Sequence, residues 1–170
     1  MSVESGYAAA NRQLAQLDGV AGLAAHWLGQ ESAAAQHYQS SIDRLTAITK
    51  KNPDSMPDSD LTQFSCQYAM LLATAVSPQV RDAGKAVQVA TEACNRTSQQ
   101  NVECLEALAA AEASRGNFAV AASWQQKAIS LTKPLSRRRS LTVDLTRYRS
   151  RQTVGPETAE RRVDLQKLVR

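Results

Sequence analysis

Small side chains recur seven residues apart at three places in this chain of 170 residues. Positions seven apart lie on one face of an α-helix, and small side chains there let a neighbouring helix approach closely. The three pairs are Ala34 with Ser41, Ala86 with Ala93, and Ala121 with Ala128. Sustained runs of β-branched and aromatic residues, which are typical of strands, are absent. The sequence therefore predicts an all-α fold of stacked antiparallel helix hairpins.

Turn-forming residues set the predicted boundaries. Gly116-Asn117 closes an apolar helix, because glycine tolerates the left-handed conformation of a helix end, and Pro134 stops the next helix. We predict three hairpins and a further helix: 5–28 with 31–51, 60–76 with 82–97, 101–115 with 117–132, and 134–151. The corresponding units are an N-terminal hairpin (1–52), a connector (53–60), a two-hairpin region (61–133) and a basic C-terminal region (134–170). Residues 156–170 are a candidate for a short final helix that exposes Val163, Leu165 and Leu168 to a partner.

Two segments resemble a known repeat family. LEALAAAEASRGNFAVAASWQQKAISL (105–131) resembles a tetratricopeptide repeat, and AMLLATAVSPQVRDAGKAVQVATEAC (69–94) resembles the preceding repeat of many bacterial multidomain proteins. The tail pattern Leu141, Leu145 and Tyr148 is similar to the terminal helix that follows such repeats, so the resemblance covers about residues 61 to 151. It implies a tetratricopeptide-like α-solenoid with a C-terminal capping helix, and a module that binds other proteins.

The chain also departs from the family pattern. Glu112 and Gln125 stand where the repeat usually has large aromatic residues, with Trp124 one place earlier than expected. Gly19 and Gly22 interrupt the first predicted helix. Residues 6–28 therefore stay open as one helix, a broken helix or a segment that faces a partner.

No motif for catalysis, nucleotide binding or metal binding is found. His26 and His37 lack the surrounding residues of a nucleophilic or metal site, and their expected roles are structural or on the surface. Asp54, Asp58 and Asp60 lack the glycine and glutamate of a calcium loop. We expect a protein without enzymatic activity, cofactor or metal ion. A regulatory piece of a larger enzyme is the least favoured alternative.

The three cysteines and the N-terminal sequence bear on the cellular location. Cys66, Cys94 and Cys104 show no zinc-binding spacing, and we expect buried free thiols. The N-terminus lacks a basic segment followed by an apolar one, and no apolar stretch is long enough to span a bilayer. These features favour a cytoplasmic protein that does not enter a membrane.

Positive charge is concentrated at the C-terminal end. Residues 133–170 hold 11 Lys/Arg against 4 Asp/Glu, whereas residues 1–132 hold 9 against 12. The arginines of this region are a candidate partner-binding surface: Arg137, Arg138, Arg139, Arg147, Arg149 and Arg151. A solvated capping helix is one interpretation. An acidic protein partner or nucleic acid is the other, so a nucleic-acid-binding accessory protein is the main alternative function.

A second candidate surface lies on the helix that opens the last hairpin. In proteins that this chain resembles, the first helix of each hairpin lines a concave groove. The predicted groove residues are Glu103, Glu106, Ala107, Ala110 and Ser114. Such a groove is acidic and shallow, and it lacks the lysine and asparagine that clamp a peptide's terminal carboxylate in some family members. We therefore predict a helical or basic protein segment as partner rather than a chaperone tail.

Overall fold

The computed structural model describes residues 3–51 and 59–155, and within these ranges the ordered elements are all helices. They are α1 (Val3–Trp27), α2 (Glu31–Lys51), α3 (Ser59–Thr74), α4 (Ala83–Arg96), α5 (Val102–Ser114), α6 (Phe118–Leu131) and α7 (Leu135–Arg149). The all-α prediction is confirmed. Each boundary lies within about two residues of its prediction. The candidate helix 156–170 and most of the connector lie outside the described residues.

Local signals in the sequence explain where several helices begin and end. The Asp82 carboxylate accepts a hydrogen bond from the Lys85 amide at 2.9 Å, and the Asn101 side chain accepts one from the Cys104 amide at 3.1 Å. These bonds cap the first turns of α4 and α5. Gly116 follows α5 with a φ of +83°, a left-handed conformation that glycine adopts without steric cost.

Helices that are adjacent in sequence pack against each other. The pairs α1/α2, α3/α4 and α5/α6 form hairpins, and α2 also contacts α3. Helix α5 packs against α3, α4 and α6. All six small residues of the seven-residue pairs are fully buried: Ala34, Ser41, Ala86, Ala93, Ala121 and Ala128. Their predicted place at close helix contacts is confirmed. No helix among the described residues is both long enough and apolar enough to cross a membrane.

Helix α1 is one continuous helix from Val3 to Trp27, which excludes the alternative of a broken helix. Gly19 and Gly22 lie close to aromatic rings of the neighbouring helices. A Cβ atom at Gly19 would overlap the ring of Phe64, and a Cβ at Gly22 would lie 2.8 Å from a ring carbon of Tyr38. The glycines thus allow close packing and do not break the helix, because both rings occupy the space that a side chain would need.

The cysteine prediction is wrong for two of the three residues. Cys66 of α3 and Cys104 of α5 form a buried disulfide, with Cα atoms 5.1 Å apart. Only Cys94 is a free buried thiol among the described cysteines. Sequence spacing did not reveal the pair because 38 residues separate its members and the α3/α5 contact brings them together. Disulfides persist mainly in oxidising compartments, so this bond weighs against the predicted cytoplasmic location.

Candidate interaction surfaces

The face of α5 predicted to line a groove is largely closed. Glu103 is exposed and Ser114 is partly exposed, but Glu106, Ala107 and Ala110 are buried. The expected exposure of these three residues is wrong. The physical reason is that α5 is surrounded by α3, α4 and α6, while the first turn of α7 reaches Glu106.

An ion pair between Glu106 and Arg137 occupies the place where the groove was expected. The Arg137 guanidinium donates a hydrogen bond to the Glu106 carboxylate, which is 2% exposed as a residue. Arg137 itself keeps about a quarter of its side chain exposed, at 24%. Arg137 therefore does not belong to an exposed basic surface, because its guanidinium pairs with the carboxylate of Glu106.

Further polar contacts attach α7 to the rest of the chain. Gln125 of α6 is fully buried, and its amide donates to the backbone carbonyl of Leu141 at 3.0 Å. Tyr148 is buried beside these groups, and burial first, then the negative charge of Glu106, raises the pKa of its hydroxyl. Gln125 stands where the repeat family usually has a large aromatic residue. Its side chain contacts α7 through a hydrogen bond rather than through an aromatic ring.

The outer face of α7 keeps most of the predicted basic surface. Arg138, Arg139, Arg149 and Arg151 are exposed, whereas Arg147 is partly buried. On an ideal helix Arg138 and Arg149 lie on nearly the same side, with Arg139 about 100° away. The sole acidic residue of α7, Asp144, is buried, as are Leu141, Leu145 and Tyr148. We call Arg138, Arg139 and Arg149 the α7 basic face.

An open groove of about 630 Å³ runs along α2, at a place that the sequence did not predict. Tyr68 of α3 contributes to its lining, and the Lys85 ammonium of α4 lies 5.2 Å from the centre of the same ring. We call this surface the α2 groove. Its α2 side is lined by Ala35, Gln36, Gln39, Ser40, Asp43 and Arg44.

Gln39 is the chemically distinctive residue of the α2 groove. Its amide nitrogen donates to the Asp43 carboxylate at 2.7 Å. Its Oε1 atom is buried and accepts no hydrogen bond from the residues that the structure describes. A buried amide oxygen without a donor is uncommon, because such a group loses its water without compensation. In the sequence, the polar pattern Gln36, Gln39 and Asp43 indicates only a solvated helix face.

His37 lies beside a carboxylate that connects α1 to α2. His37 lies 3.7 Å from the Asp18 carboxylate, which also accepts hydrogen bonds from Ser40 at 2.7 Å and Arg44 at 3.2 Å. These contacts join α1 to α2. No cluster of three metal-ligating side chains occurs among residues 3–51 and 59–155.

Trp27 and Trp124 differ in exposure. Trp27, at the end of α1, is 47% exposed, whereas Trp124 packs partly buried against the core with the Lys127 ammonium 5.7 Å from its ring centre.

Comparison of the chain with protein families, with curated proteins and with solved structures found no match to any of them.

Proposed function

We propose that this chain is a non-enzymatic protein-interaction module of the tetratricopeptide type. Two features support the proposal. Consecutive helix hairpins pack side by side, and each carries buried small residues seven apart on its second helix. Arrays of this kind bury a continuous core between neighbouring repeats and present extended surfaces to partners.

The α2 groove replaces the face of α5 as the proposed partner site. The observation that carries this assignment is the Gln39 Oε1, a buried oxygen without a hydrogen-bond donor among the described residues, beside an open groove whose lining includes Asp43 and Arg44. When the Gln39 amide turns toward the groove, a backbone N–H of a bound peptide supplies the donor that this oxygen lacks, and hydrogen bonds to main-chain groups are how extended peptides are commonly held. The carboxylate of Asp43 and the guanidinium of Arg44 add charges of both signs at the groove edge. The partner is therefore a polar, extended protein segment.

Site-specific photo-crosslinking in the cells that express the chain tests the assignment. A photoreactive residue at Gln36 should capture a defined partner band, because Gln36 is exposed and lines the groove. The same residue at Gln126 is the matched control, since Gln126 is exposed on α6, away from the groove.

A variant then ties the captured partner to the chemistry of the groove. Gln39→Ala removes the proposed acceptor and should weaken binding of the identified segment by about 2- to 12-fold, the value of one hydrogen bond. Equal capture at positions 36 and 126, or unchanged affinity of Gln39→Ala, would refute the assignment of the partner to this groove.

The α7 basic face supports a second candidate function, nucleic-acid binding. The supporting observation is that Arg138, Arg139 and Arg149 are exposed, while Asp144 is turned into the core. Phosphate contacts by arginine make binding steeply dependent on salt. Fluorescence anisotropy with single-stranded oligonucleotides should show this dependence if the function is present.

Variants that remove charge distinguish nucleic-acid binding at the α7 basic face from non-specific binding elsewhere on the chain. Arg138→Gln with Arg149→Gln should reduce the slope of log affinity against log salt by about 1.4 to 1.8, for two lost phosphate contacts. Arg115→Gln, an exposed arginine at the end of α5, is the control and should leave the slope unchanged. Equal effects of the two sets of variants would exclude the α7 basic face as a nucleic-acid site.

A further inference from the structure

The outward side of α1 exposes large apolar side chains in a regular row. Leu14 is 49% exposed, Leu17 is 66% exposed, and Leu28, directly after the helix, is 72% exposed. Helix α1 packs on α2 and, over a smaller area, on α3, and these contacts bury Ala15, Gly19, Gly22 and Ala25 on its other side. Isolated exposed leucines are ordinary, but a continuous row on one helix face marks an interaction surface.

The row follows the spacing of a coiled-coil seam. Ala10, Leu14, Leu17, Ala21, Ala24 and Leu28 recur at alternating intervals of three and four residues. All are exposed or partly exposed, and none is charged. This spacing keeps a seam of side chains facing one partner helix over several turns. We call these six residues the α1 seam.

The sizes of the side chains in the α1 seam identify the partner. If a second copy of the seam is laid antiparallel about residue 19, Ala10 faces Leu28, Leu14 faces Ala24, and Leu17 faces Ala21. Every large side chain then meets a small one, which is the alternation that lets facing helices interdigitate without voids or clashes. A parallel pairing in register would oppose leucine to leucine and alanine to alanine. The seam is thus complementary to its own reversed copy.

Charge is consistent with the same partner. The nearest acidic residue, Asp18, is turned toward α2, where it accepts hydrogen bonds from Ser40 and Arg44. Val20, which flanks the seam near residue 19, is exposed and apolar. Two seams that pair about a twofold axis therefore place no like charges against each other. An uncharged seam also offers no charged group that would favour a charged partner.

We propose that two copies of this chain associate through an antiparallel, twofold contact between their α1 seams. The two seams pair about residue 19, with α2 of each copy covering the other side of its own α1. The contact runs from Ala10 to Leu28, a length of about 27 Å on an α-helix. That length places the interface at the small end of specific contacts. The proposal is independent of the function proposed for the α2 groove.

Sedimentation equilibrium of the full chain tests the association. Between about 1 and 200 µM the weight-average mass should rise from 18.4 kDa toward twice that value. Leu17→Glu places two carboxylates at the centre of the contact and should raise the dissociation constant at least about tenfold. Val143→Glu is the matched control, because Val143 is also an exposed apolar residue on a helix, and it should leave the mass unchanged.

Crosslinking tests the antiparallel register. A mixture of chains carrying Leu14→Cys and chains carrying Ala24→Cys, treated with a short bis-maleimide, should give the mixed 14–24 product. Chains with Leu14→Cys alone should give little product, because two copies of position 14 lie about 15 Å apart along the antiparallel axis. Efficient 14–14 crosslinking without the 14–24 product would overturn the antiparallel register.

A weight-average mass that stays at 18.4 kDa at the highest concentration would overturn the proposal. The α1 seam would then be a candidate binding surface for a different protein. Equal weakening by Leu17→Glu and Val143→Glu would also overturn it. Because the substituted side chains are exposed, circular dichroism and melting of each variant should match the parent, which separates loss of association from loss of folding.

Discussion

Replacing Arg137 with alanine should destabilise the chain far more than replacing a neighbouring arginine. Arg137→Ala removes the ion pair between Arg137 and the Glu106 carboxylate, which belongs to a residue that is 2% exposed. Breaking a buried pair by removing one member costs about 3 to 5 kcal/mol. Arg137 is 24% exposed, so water can enter at its side of the contact and reduce that cost. We expect a loss of about 2 to 3 kcal/mol in the free energy of unfolding.

Urea denaturation followed by circular dichroism measures this loss, and a chain of this length should melt about 4 to 12 °C lower. Arg139→Ala is the matched control, because Arg139 is exposed on the same helix, and it should change stability by less than about 0.5 kcal/mol. Adding Glu106→Gln to Arg137→Ala removes the buried charge and should recover part of the loss, giving a coupling energy above about 1 kcal/mol. Equal stability of Arg137→Ala and Arg139→Ala would refute the view that this ion pair attaches α7 to α5.

Three further predictions concern the helix contacts and the cysteines. Gly19→Ala should lower the free energy of unfolding by about 1 to 2 kcal/mol despite the better helix propensity of alanine, because the added Cβ overlaps the Phe64 ring. An unchanged midpoint of urea denaturation would contradict this close packing. Replacing both Cys66 and Cys104 by alanine should lower the free energy of unfolding by about 3 to 4 kcal/mol, because the disulfide no longer closes a loop of 38 residues in the unfolded chain. Identical urea curves for the parent and the double variant would contradict the disulfide. Burial, opposed by the positive charge of Lys127, raises the pKa of Cys94 to about 11, so alkylation of the native thiol should be slow at pH 8 and accelerate about tenfold per pH unit up to pH 10. Rapid alkylation at pH 8 without denaturant would refute the burial of this thiol.

Much of the helical architecture follows from the sequence alone, because the signals that define a helix are local. The helix bounds came from glycine, proline and capping residues that lie within one turn of each helix end. The pairs Ala86 with Ala93 and Ala121 with Ala128 identified the buried faces, since a seven-residue spacing fixes one side of a helix whatever its neighbours are.

The tertiary structure decided what each helix face meets. Local sequence signals could not show that Glu106 is covered by Arg137, because that contact joins residues 31 positions apart through the packing of α7. The Cys66–Cys104 bond depends in the same way on the α3/α5 contact. Gly19 left open whether the first helix is continuous or broken, and the Phe64 ring shows that this glycine is a site of close approach. A sequence determines the faces of its helices through local periodicity, whereas long-range packing determines which of those faces remain open to a partner.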